Sequence, residues 1–347
     1  MHFASDNAAT VAPPILDAIR QANDGYALAY GEDEATDRVE RAFSELFERE
    51  VAVYLVATGT AANALALAHV APPWGAVLCH RDAHIETSEC GAPEFFGGGL
   101  KLVGLAGEGG KIAPKTLEDA LRQREWGGPH HVAPAVLSLT QATEAGTVYQ
   151  VSELSRLADI ARARGMAVHM DGARFANALA RLRASPAEAT WKAGVDVLSF
   201  GATKGGALAA EALVFFERTR AAGMDERRKR AGHLLSKHRF VAAQFHAFLS
   251  GGLWLDLARH ANAMAERLAA KLSAVGLRPV WPVEANLVFV VLPGAVHRNL
   301  EAAGACYYVM RRNDVALAPG DVLARLVTSH ATTPADVDRF AAIAGQP

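Results

Sequence analysis

Two patterns of apolar residues alternate along most of the chain. Spacings of three or four residues, as in Val39, Phe43 and Phe47, predict a helix, here with Thr36 as its cap. Short continuous apolar runs, as in VAVYLVA from Val51, predict buried strands. The same two patterns predict helices beginning near residues 13, 58, 115 and 151, and strands near residues 75, 100, 134, 166, 195 and 208.

Strands that alternate with helices predict an α/β fold with a mostly parallel sheet covered by helices on both faces. The pattern changes after about residue 225, where a basic segment precedes one long predicted helix from Phe240 to Ala274. Its apolar face is predicted to contain Leu253, Leu257, Ala261, Met264 and Leu268. A strand near Val283 and a final strand, turn and capped helix follow. We therefore predict a large domain over residues 1–245 and a smaller α+β domain over 246–347.

Composition narrows the class of protein. The 347 residues are 51% hydrophobic and 21% charged, which is typical of a globular protein with about two domains. A net charge of −2 does not favour nucleic acid as a partner. The spacing of Cys79, Cys90 and Cys306 fits neither a metal site nor a disulfide framework. With no signal peptide or membrane-spanning stretch in the sequence, we expect a cytoplasmic protein without a metal.

The first candidate site is the turn Thr58-Gly59-Thr60 between a predicted strand and a helix. Free backbone N–H groups at a helix start stabilise an anion, so this turn could hold a phosphate group. Neither GxGxxG nor GxxxxGK[ST] occurs, so neither a dinucleotide nor a nucleoside triphosphate is indicated. An ordinary strand-to-helix turn is the alternative.

Three further side chains could carry chemistry. Asp171, in HMDGAR, ends a predicted strand and could pair with a cationic ring nitrogen, or it could cap a turn or pair with Arg174. Lys204, in SFGATKGGALAAEALVFF, could form a covalent bond through its amine, or it could be a loop lysine between turn glycines. His84 could stack on a planar ring or act as a base, or it could lie on the surface.

Taken together, these residues match what pyridoxal phosphate requires. That cofactor needs an anion site, a carboxylate at its pyridine nitrogen and an amine for a Schiff base. The sequence supplies them in order as Gly59 and Thr60, Asp171, and Lys204. Pyridoxal phosphate is therefore the predicted cofactor.

Seven segments also carry a family resemblance. They run in the order SDN, AYGED, ATGTAAN, AH, HMDGAR, SFGATKGG and RLVTS, over about residues 3 to 345. In this order they resemble the threonine aldolases, which are pyridoxal-phosphate enzymes of fold type I, like aspartate aminotransferase. The stretches TQATE, SPAEATWKAGVDVLSFGATK and RRKRAGHLLSK look most similar to the bacterial branch that includes phenylserine aldolase.

The resemblance implies the roles of the cofactor-binding residues. Lys204 would hold the cofactor covalently, and Asp171 would keep the pyridine nitrogen protonated. Gly59 and Thr60 would bind the phosphate. His84 would stack on the ring and could also take the proton from the substrate's β-hydroxyl.

It also implies a reaction and a substrate site. The enzyme, a lyase, would cleave L-threonine, L-allo-threonine or L-phenylserine to glycine and an aldehyde. Arg174 would lie near both the cofactor's ring oxygen and the substrate carboxylate. Arg325 would clamp that carboxylate bidentately, with Ser5 helping to orient it. Tyr30 and Lys237 would reach a neighbouring subunit's site, Lys237 at the phosphate, so the active unit would be at least a dimer and is expected to be a homotetramer.

Two departures from the family pattern affect the substrate rather than the cofactor. Many threonine aldolases carry a histidine where this chain has Thr143, which leaves His84 or a water as the base. The second departure is the glycine pattern of the segment GGALAAE after Lys204, which varies between branches of the family. Apart from these departures, the loop with Glu94, Phe95 and Phe96 could accept an aryl group, although a packing role is favoured.

Other reactions stay open at this point. The same lysine and aspartate would serve β-elimination or transamination. A non-enzymatic scaffold is disfavoured because Lys204, Asp171 and Arg325 are all present. A nicotinamide dehydrogenase is disfavoured because its glycine fingerprint is missing.

Overall fold

The computed structural model describes residues 1–346. Its strands are β1 (Ala52–Val56), β2 (Gly75–His80), β3 (Lys101–Leu105), β4 (Ala133–Thr140), β5 (Ala167–Gly172), β6 (Val197–Gly201), β7 (Glu211–Phe215), β8 (Leu287–Leu292), β9 (Tyr308–Met310) and β10 (Val322–Val327). Its α-helices are α1 (Pro13–Gln21), α2 (Glu34–Leu46), α3 (Gly59–Val70), α4 (His84–Thr87), α5 (Ala92–Phe96), α6 (Pro114–Gln123), α7 (Val151–Arg162), α8 (Phe175–Arg181), α9 (Met224–Arg230), α10 (Arg239–Leu249), α11 (Leu253–Ala274), α12 (Gly294–Ala302) and α13 (Pro334–Ala344).

Seven strands form the large sheet in the order β1-β7-β6-β5-β4-β2-β3. Strands β2 to β6 pair in parallel, while β7 runs antiparallel to both β1 and β6. Six carboxyl ends therefore lie at one edge, which is also where β7 begins. The predicted mostly parallel sheet is confirmed, and this edge is where such sheets bind ligands.

Helices cover both faces of this sheet, which explains why its strands are apolar rather than alternating. Every residue of β2, β6 and β7 is buried. On one face, Phe43 of α2 packs 5.2 Å from Phe200 and 5.4 Å from Phe245, measured between ring centroids. On the other face lies α3, which is buried continuously from Ala61 to Ala68. An anion-binding turn at the start of α3 would thus rest on a rigid support.

A second, antiparallel sheet has the order β8-β10-β9 and its own core. Leu268 of α11 and Phe340 of α13 lie in this core. Phe3 joins them from the other end of the chain, with its ring 5.2 Å from that of Phe340. The smaller antiparallel unit agrees with the predicted α+β region, while the division between residues 245 and 246 stays a prediction.

Two predicted helices differ in detail from the structure. Asp33, not Thr36, caps α2, since its Oδ1 accepts a bond of 3.0 Å from the Thr36 N–H. The long helix predicted from residue 240 to 274 is two helices, because Gly251 and Gly252 between them adopt φ values of 60° and 77°. Such values belong to the left-handed region that glycine tolerates, and they end the first helix.

The apolar face of α11 is also rotated from the predicted one. Ala261 and Leu268 are buried as expected, whereas Leu253, Leu257 and Met264 are only partly buried. The fully buried positions include Trp254, Ala258, Ala261, Ala265, Leu268 and Leu272. Within residues 1–346, no helix combines the length and hydropathy needed to cross a bilayer.

Candidate active site

A cavity of about 250 Å³ opens at the carboxyl edge of the large sheet. Five of the predicted residues line it, namely Gly59, Thr60, His84, Asp171 and Lys204. We call it the Lys204 cavity; its other lining residues are Asn7, Ala57, Thr58, Asn63, Glu89, Glu144, Ala173, Thr203 and Glu211. A larger cavity of about 660 Å³ lies between residues 18–38 and α10, and none of the predicted site residues lines it. The smaller cavity is the candidate site because the reactive side chains meet there.

The start of α3 provides the anion-binding part of the cavity. Thr58 is the N-cap, and its Oγ1 accepts a 3.2 Å bond from the Ala61 N–H. The N–H groups of Gly59 and Thr60 belong to the first turn, where no carbonyl of the helix can accept them. A Cβ added to Gly59 would approach only Glu211 Oε2, at 3.9 Å, so this side of the turn is open. A phosphate group fits such a helix start.

Asp171 is held rigidly at the end of β5. Its Oδ1 accepts a 3.0 Å bond from the Ala173 N–H, and its Oδ2 accepts a 2.9 Å bond from Nδ2 of Asn63 on α3. The residue is 3% exposed, so its carboxylate has little freedom to turn. Asp171 therefore makes the turn cap that the sequence allowed, while Arg174 pairs with Asp6 instead. The pairing of Asp171 with a ring nitrogen stays a prediction.

A buried histidine ties together the strands that support Asp171. His169 Nδ1 lies 2.8 Å from Ser138 Oγ on β4, and Nε2 lies 3.0 Å from Ser199 Oγ on β6. Burial lowers the pKa of His169 to about 4, so the ring is neutral at physiological pH. A neutral imidazole can bridge two hydroxyls without placing a charge in the core.

Lys204 lies in the loop between β6 and β7, and the glycines beside it have a packing role. A Cβ on Gly205 would come within 2.7 Å of Phe248, which belongs to α10. A Cβ on Gly206 would lie 3.2 Å from that of Ala12, and Gly206 has a φ of 118°. The two glycines thus let the loop pack tightly against α10 and the chain near Ala12, which fixes the backbone that carries the amine.

His84 begins the short helix α4, where it contacts a buried carboxylate and lies near two further acidic side chains. Its Nδ1 lies 2.8 Å from Oε1 of the buried Glu89, and the imidazole itself is half-buried. The hydrogen bond to Glu89 raises the pKa of His84, an effect that burial opposes and that the charges of Glu144 and Asp171 reinforce. A base of raised pKa in a cofactor-sized cavity is a candidate for proton transfer.

Glu211, at the first position of β7, is a buried carboxyl in the same cavity. It is 6% exposed and lies opposite Val56 of β1 and Gly201 of β6. Burial raises the pKa of Glu211 to about 7, although hydrogen bonds from Thr203 and the charge of Lys204 act in the other direction. The side chain can therefore be neutral or ionised near physiological pH.

Arg174 forms a buried ion pair beside the Lys204 cavity. Its Nε and Nη2 donate to the two carboxylate oxygens of Asp6, over 2.7 Å and 2.9 Å. Asn286 Nδ2 adds a third bond to Asp6, of 3.0 Å. Burial alone would raise the pKa of Asp6, but the Arg174 guanidinium outweighs it and holds the pKa below its ordinary value.

Arg325 lies close to this pair on β10 of the small sheet. Burial, and then the charge of Arg174, lowers the pKa of Arg325. Within residues 1–346, its Nη1 donates only a long 3.4 Å bond, to the carbonyl of Ala4. Ser5 follows directly and is half-buried, with its Oγ accepting a 3.1 Å bond from the Asn7 N–H. Arg174 is paired with Asp6, whereas no carboxylate among residues 1–346 lies within salt-bridge distance of Arg325, so the charge of Arg325 is available for a bound anion.

Tyr30 and Lys237 do not reach the Lys204 cavity within one chain. Tyr30 is 47% exposed, and its N–H donates a 3.0 Å bond to the carbonyl of Ser236, the residue before the exposed Lys237. Lys229 places its Nζ 4.5 Å from the centre of the Tyr30 ring. The two predicted residues are therefore neighbours of each other on the surface.

Thr143 and the segment from residue 94 to 96 both have defined contacts in the structure. Thr143 Oγ1 bonds to the Gly109 carbonyl at 3.0 Å and lies 2.8 Å from Thr147 Oγ1, so this hydroxyl serves a turn. In the segment from residue 94 to 96, Phe96 packs against the core beside α3 and Phe95 is 79% exposed. Neither phenylalanine lines the Lys204 cavity.

Sequence reasoning gave no role to seven polar residues of the site: Asp6, Asn7, Asn63, Glu89, Glu144, Thr203 and Glu211. Two of them carried a usable signal. Asn63 interrupts the apolar stretch of α3, and Glu211 is a lone carboxylate before the apolar run ALVFF. A polar residue inside a buried apolar element usually has a specific partner or role.

The donor set fits pyridoxal phosphate. The cavity joins a helix start for the phosphate, a buried carboxylate for the ring nitrogen, an amine and an imidazole. Asn63 Oδ1 and Glu89 Oε2 are buried there without a hydrogen-bond partner among residues 1–346. The same residues contain no cluster of three or more His, Cys, Asp or Glu side chains arranged for a metal.

Comparisons with known proteins agree with this geometry. A model of the beta-eliminating lyase family matches residues 2–294. The chain is 45% identical over 307 residues to a low specificity L-threonine aldolase of Pseudomonas aeruginosa, and 43% identical to one of a Pseudomonas species, covering 88% of each chain in both cases. The solved structure of a Leishmania major threonine aldolase superposes with a TM-score of 0.92 at 29% identity, covering 99% of this chain and 98% of that one.

These likenesses confirm the predicted family, the fold-type I architecture and pyridoxal phosphate as the cofactor. The matched residues include both sheets of the structure and are not confined to one motif. The chain belongs to the beta-eliminating lyase family and, within it, to the threonine aldolases.

Proposed function

We propose that this enzyme cleaves L-threonine, L-allo-threonine or L-phenylserine to glycine and an aldehyde, with the residues of the Lys204 cavity as its machinery. The observation that carries the proposal is the meeting of Lys204, Asp171 and the start of α3 in one cavity of about 250 Å³. Bound pyridoxal phosphate supplies an electron sink that stabilises negative charge at the α-carbon of an amino acid.

Four residues hold the cofactor in this proposal. The amine of Lys204 attaches it covalently, and Gly59 and Thr60 bind its phosphate through the N–H groups at the start of α3. Asp171 keeps a proton on the ring nitrogen, and Asn63 fixes that carboxylate through the 2.9 Å bond to Oδ2. Because Asp171 is held in this way, it would stay in place to hold a proton on the ring nitrogen of bound pyridoxal phosphate.

Arg325, Arg174 and Ser5 bind the substrate carboxylate. Arg174 is already bonded to Asp6 through Nε and Nη2, so it supplies mainly charge and a fixed position. Among the residues that the structure describes, the guanidinium of Arg325 makes one long bond to a carbonyl and is otherwise free for a bidentate contact. Fixing the carboxylate fixes the orientation of the bond that breaks.

His84 takes the proton from the β-hydroxyl as the Cα–Cβ bond breaks. Its half-buried imidazole lines the Lys204 cavity and can accept a proton there. Thr143 cannot share this role, because its hydroxyl is bonded to Gly109 and Thr147.

The assay is product analysis on the purified holoenzyme with each of the three amino acids. The proposal predicts equal amounts of glycine and aldehyde, and their loss when Asp171 is replaced by Asn. Formation of pyruvate and ammonia, or of an oxo acid, without aldehyde would contradict it.

β-Elimination is the second candidate function, because the chain matches the beta-eliminating lyase family over residues 2–294. That reaction needs a base at the α-carbon and a leaving group on the β-carbon, whereas aldol cleavage needs a base at the β-oxygen. Incubation with L-serine separates the two reactions, since elimination yields pyruvate and cleavage yields formaldehyde with glycine.

The assembly is also part of the proposal. We place Tyr30 and Lys237 at the site of a neighbouring subunit, with a dimer as the active unit, a homotetramer as the full assembly and the cytoplasm as its location. Support for the assembly comes from the exposed segment around Tyr30, where Tyr26 and Leu28 are 107% and 67% exposed. Large apolar groups on one surface segment are typical of an interface.

Hybrid dimers test the shared site. Lys204→Ala and Lys237→Ala each damage the site, but a hybrid of the two variants keeps one intact site if Lys237 acts across the interface. Random pairing of equal amounts predicts recovery to about a quarter of the native activity. Activity no higher than the mean of the two separate variants would contradict the shared site.

A further inference from the structure

Glu89 is a buried carboxylate next to the proposed base, and within residues 1–346 no Lys or Arg side chain pairs with it. Glu89 follows α4, and its side chain is completely buried on the wall of the Lys204 cavity. Burying a carboxylate is costly unless hydrogen bonds or an opposite charge compensate it. The hydrogen-bond partners of Glu89 therefore indicate its role, and these partners are His84 and Asn63.

Both of these partners meet the same oxygen. Oε1 of Glu89 lies 2.8 Å from Nδ1 of His84 and accepts a 2.9 Å bond from Nδ2 of Asn63. The same Nδ2 donates to Oδ2 of Asp171, also over 2.9 Å. One amide thus holds the carboxylate that faces the imidazole and the carboxylate assigned to the ring nitrogen.

We propose that Glu89 is a positioning residue, whose buried carboxylate holds His84 by Nδ1 and thereby leaves Nε2 as the nitrogen that accepts the substrate's proton. This inference rests on the proposed function, because it assigns a partner to the base of that reaction. Glu89 itself touches the reaction only through His84.

The electrostatics agree with this arrangement. The hydrogen bond to Glu89 is the largest influence on the pKa of His84 and raises it, while the charges of Glu144 and Asp171 act in the same direction and burial opposes them. Burial, which the bonds to His84 and Asn63 offset, raises the pKa of Glu89. Removing the Glu89 charge should make His84 a weaker base, although Glu144 and Asp171 remain.

The test compares native enzyme with Glu89→Gln, which has nearly the same shape without the charge. We expect the pKa of His84, followed by NMR of labelled histidine in the holoenzyme, to fall by about one unit. The acid limb of the kcat/KM profile should move to lower pH by the same amount, since His84 must be neutral to accept a proton. At high pH, kcat should fall by roughly 10- to 100-fold, because the base is weaker and less well oriented.

Two further variants make the result specific. Glu86→Gln removes an exposed carboxylate from α4 itself and should leave the pKa of His84 and the acid limb unchanged. Glu89→Asp keeps the charge but moves it away from His84 by one methylene. The His84 pKa and the acid limb of the kcat/KM profile should therefore shift in the same direction as in Glu89→Gln, but by less. A native His84 pKa and a native acid limb in Glu89→Gln would overturn the proposal. If Glu89→Gln does not fold, the same native result in Glu89→Asp would overturn it.

The NMR readout separates this inference from the proposed function. If the native enzyme releases no aldehyde, the proposed function fails, yet the His84 pKa still shows whether Glu89 controls the imidazole. If aldehyde is released and Glu89→Gln lowers kcat without moving the His84 pKa, Glu89 has only a structural role and the inference fails alone.

Discussion

Replacing Glu211 with glutamine is expected to stabilise this enzyme at alkaline pH and to leave its stability at acidic pH unchanged. Glu211 is 6% exposed, at the start of β7 and in the Lys204 cavity. Its Oε2 lies 3.9 Å from the position that a Cβ on Gly59 would take. Glutamine has almost the same volume, so the substitution removes a charge without opening a cavity.

The magnitude follows from the ionisation of this one group. Burial, offset in part by Thr203 and Lys204, raises the pKa of Glu211 from an ordinary 4.5 to about 7. The folded protein thus binds the proton more tightly than the unfolded chain, so the Glu211 contribution is fully present below pH 4.5 and is lost as the pH rises through about 7. A shift of this size corresponds to about 3 kcal/mol of stability.

Urea unfolding of the cofactor-free protein measures the effect at about pH 4.5 and about pH 8.5. The difference in the free energy of unfolding between Glu211→Gln and the native protein cancels the contributions of all other titrating groups. It should be near zero at the lower pH and about 3 kcal/mol in favour of the variant at the higher pH. Glu217→Gln, an exposed carboxyl beyond the other end of β7, is the control and should show no such change. An equal difference at both pH values for Glu211→Gln would refute the reasoning.

Three further substitutions test other parts of the site. Lys204→Ala should abolish turnover while the circular dichroism spectrum stays native, because only the covalent amine is lost; aldehyde release by this variant would overturn the assignment. Arg325→Lys should raise KM by roughly 10- to 100-fold and leave the spectrum of bound cofactor intact, since lysine cannot bind a carboxylate bidentately; loss of the cofactor spectrum instead would give Arg325 another role. Asp6→Asn should lower the free energy of unfolding by about 3 kcal/mol, because Arg174 would keep a buried charge without its partner; native stability in urea would contradict this.

The sequence predicts the site where local pattern and topology suffice. Apolar runs mark the strands of the large sheet, and parallel strands bring their carboxyl ends to one edge. Asp171, at the end of β5, and Lys204, just past the end of β6, therefore fall into one cavity with the start of α3. Pyridoxal phosphate is then predicted from the helix start that can bind its phosphate, the carboxylate of Asp171 and the amine of Lys204.

The partners of these residues could not be predicted in the same way. Asn63 bonds to Asp171 across 108 positions of the chain, and Arg174 bonds to Asp6 across 168. Such pairs are set by tertiary packing, and they leave no periodic pattern in the sequence. The two helices predicted as one are a different case. The pair Gly251-Gly252 is a helix-ending signal in the sequence, but the apolar periodicity continues on both sides of it and led to the prediction of a single helix.

The visible absorption spectrum of the purified protein, recorded before and after addition of glycine, tests the central claim most directly. That claim is that Lys204 carries pyridoxal phosphate in a cavity open to an amino acid. It predicts a yellow protein whose absorption band shifts when glycine is added. A protein that stays colourless after incubation with pyridoxal phosphate would contradict it, and Lys204 would then be a loop lysine between turn glycines.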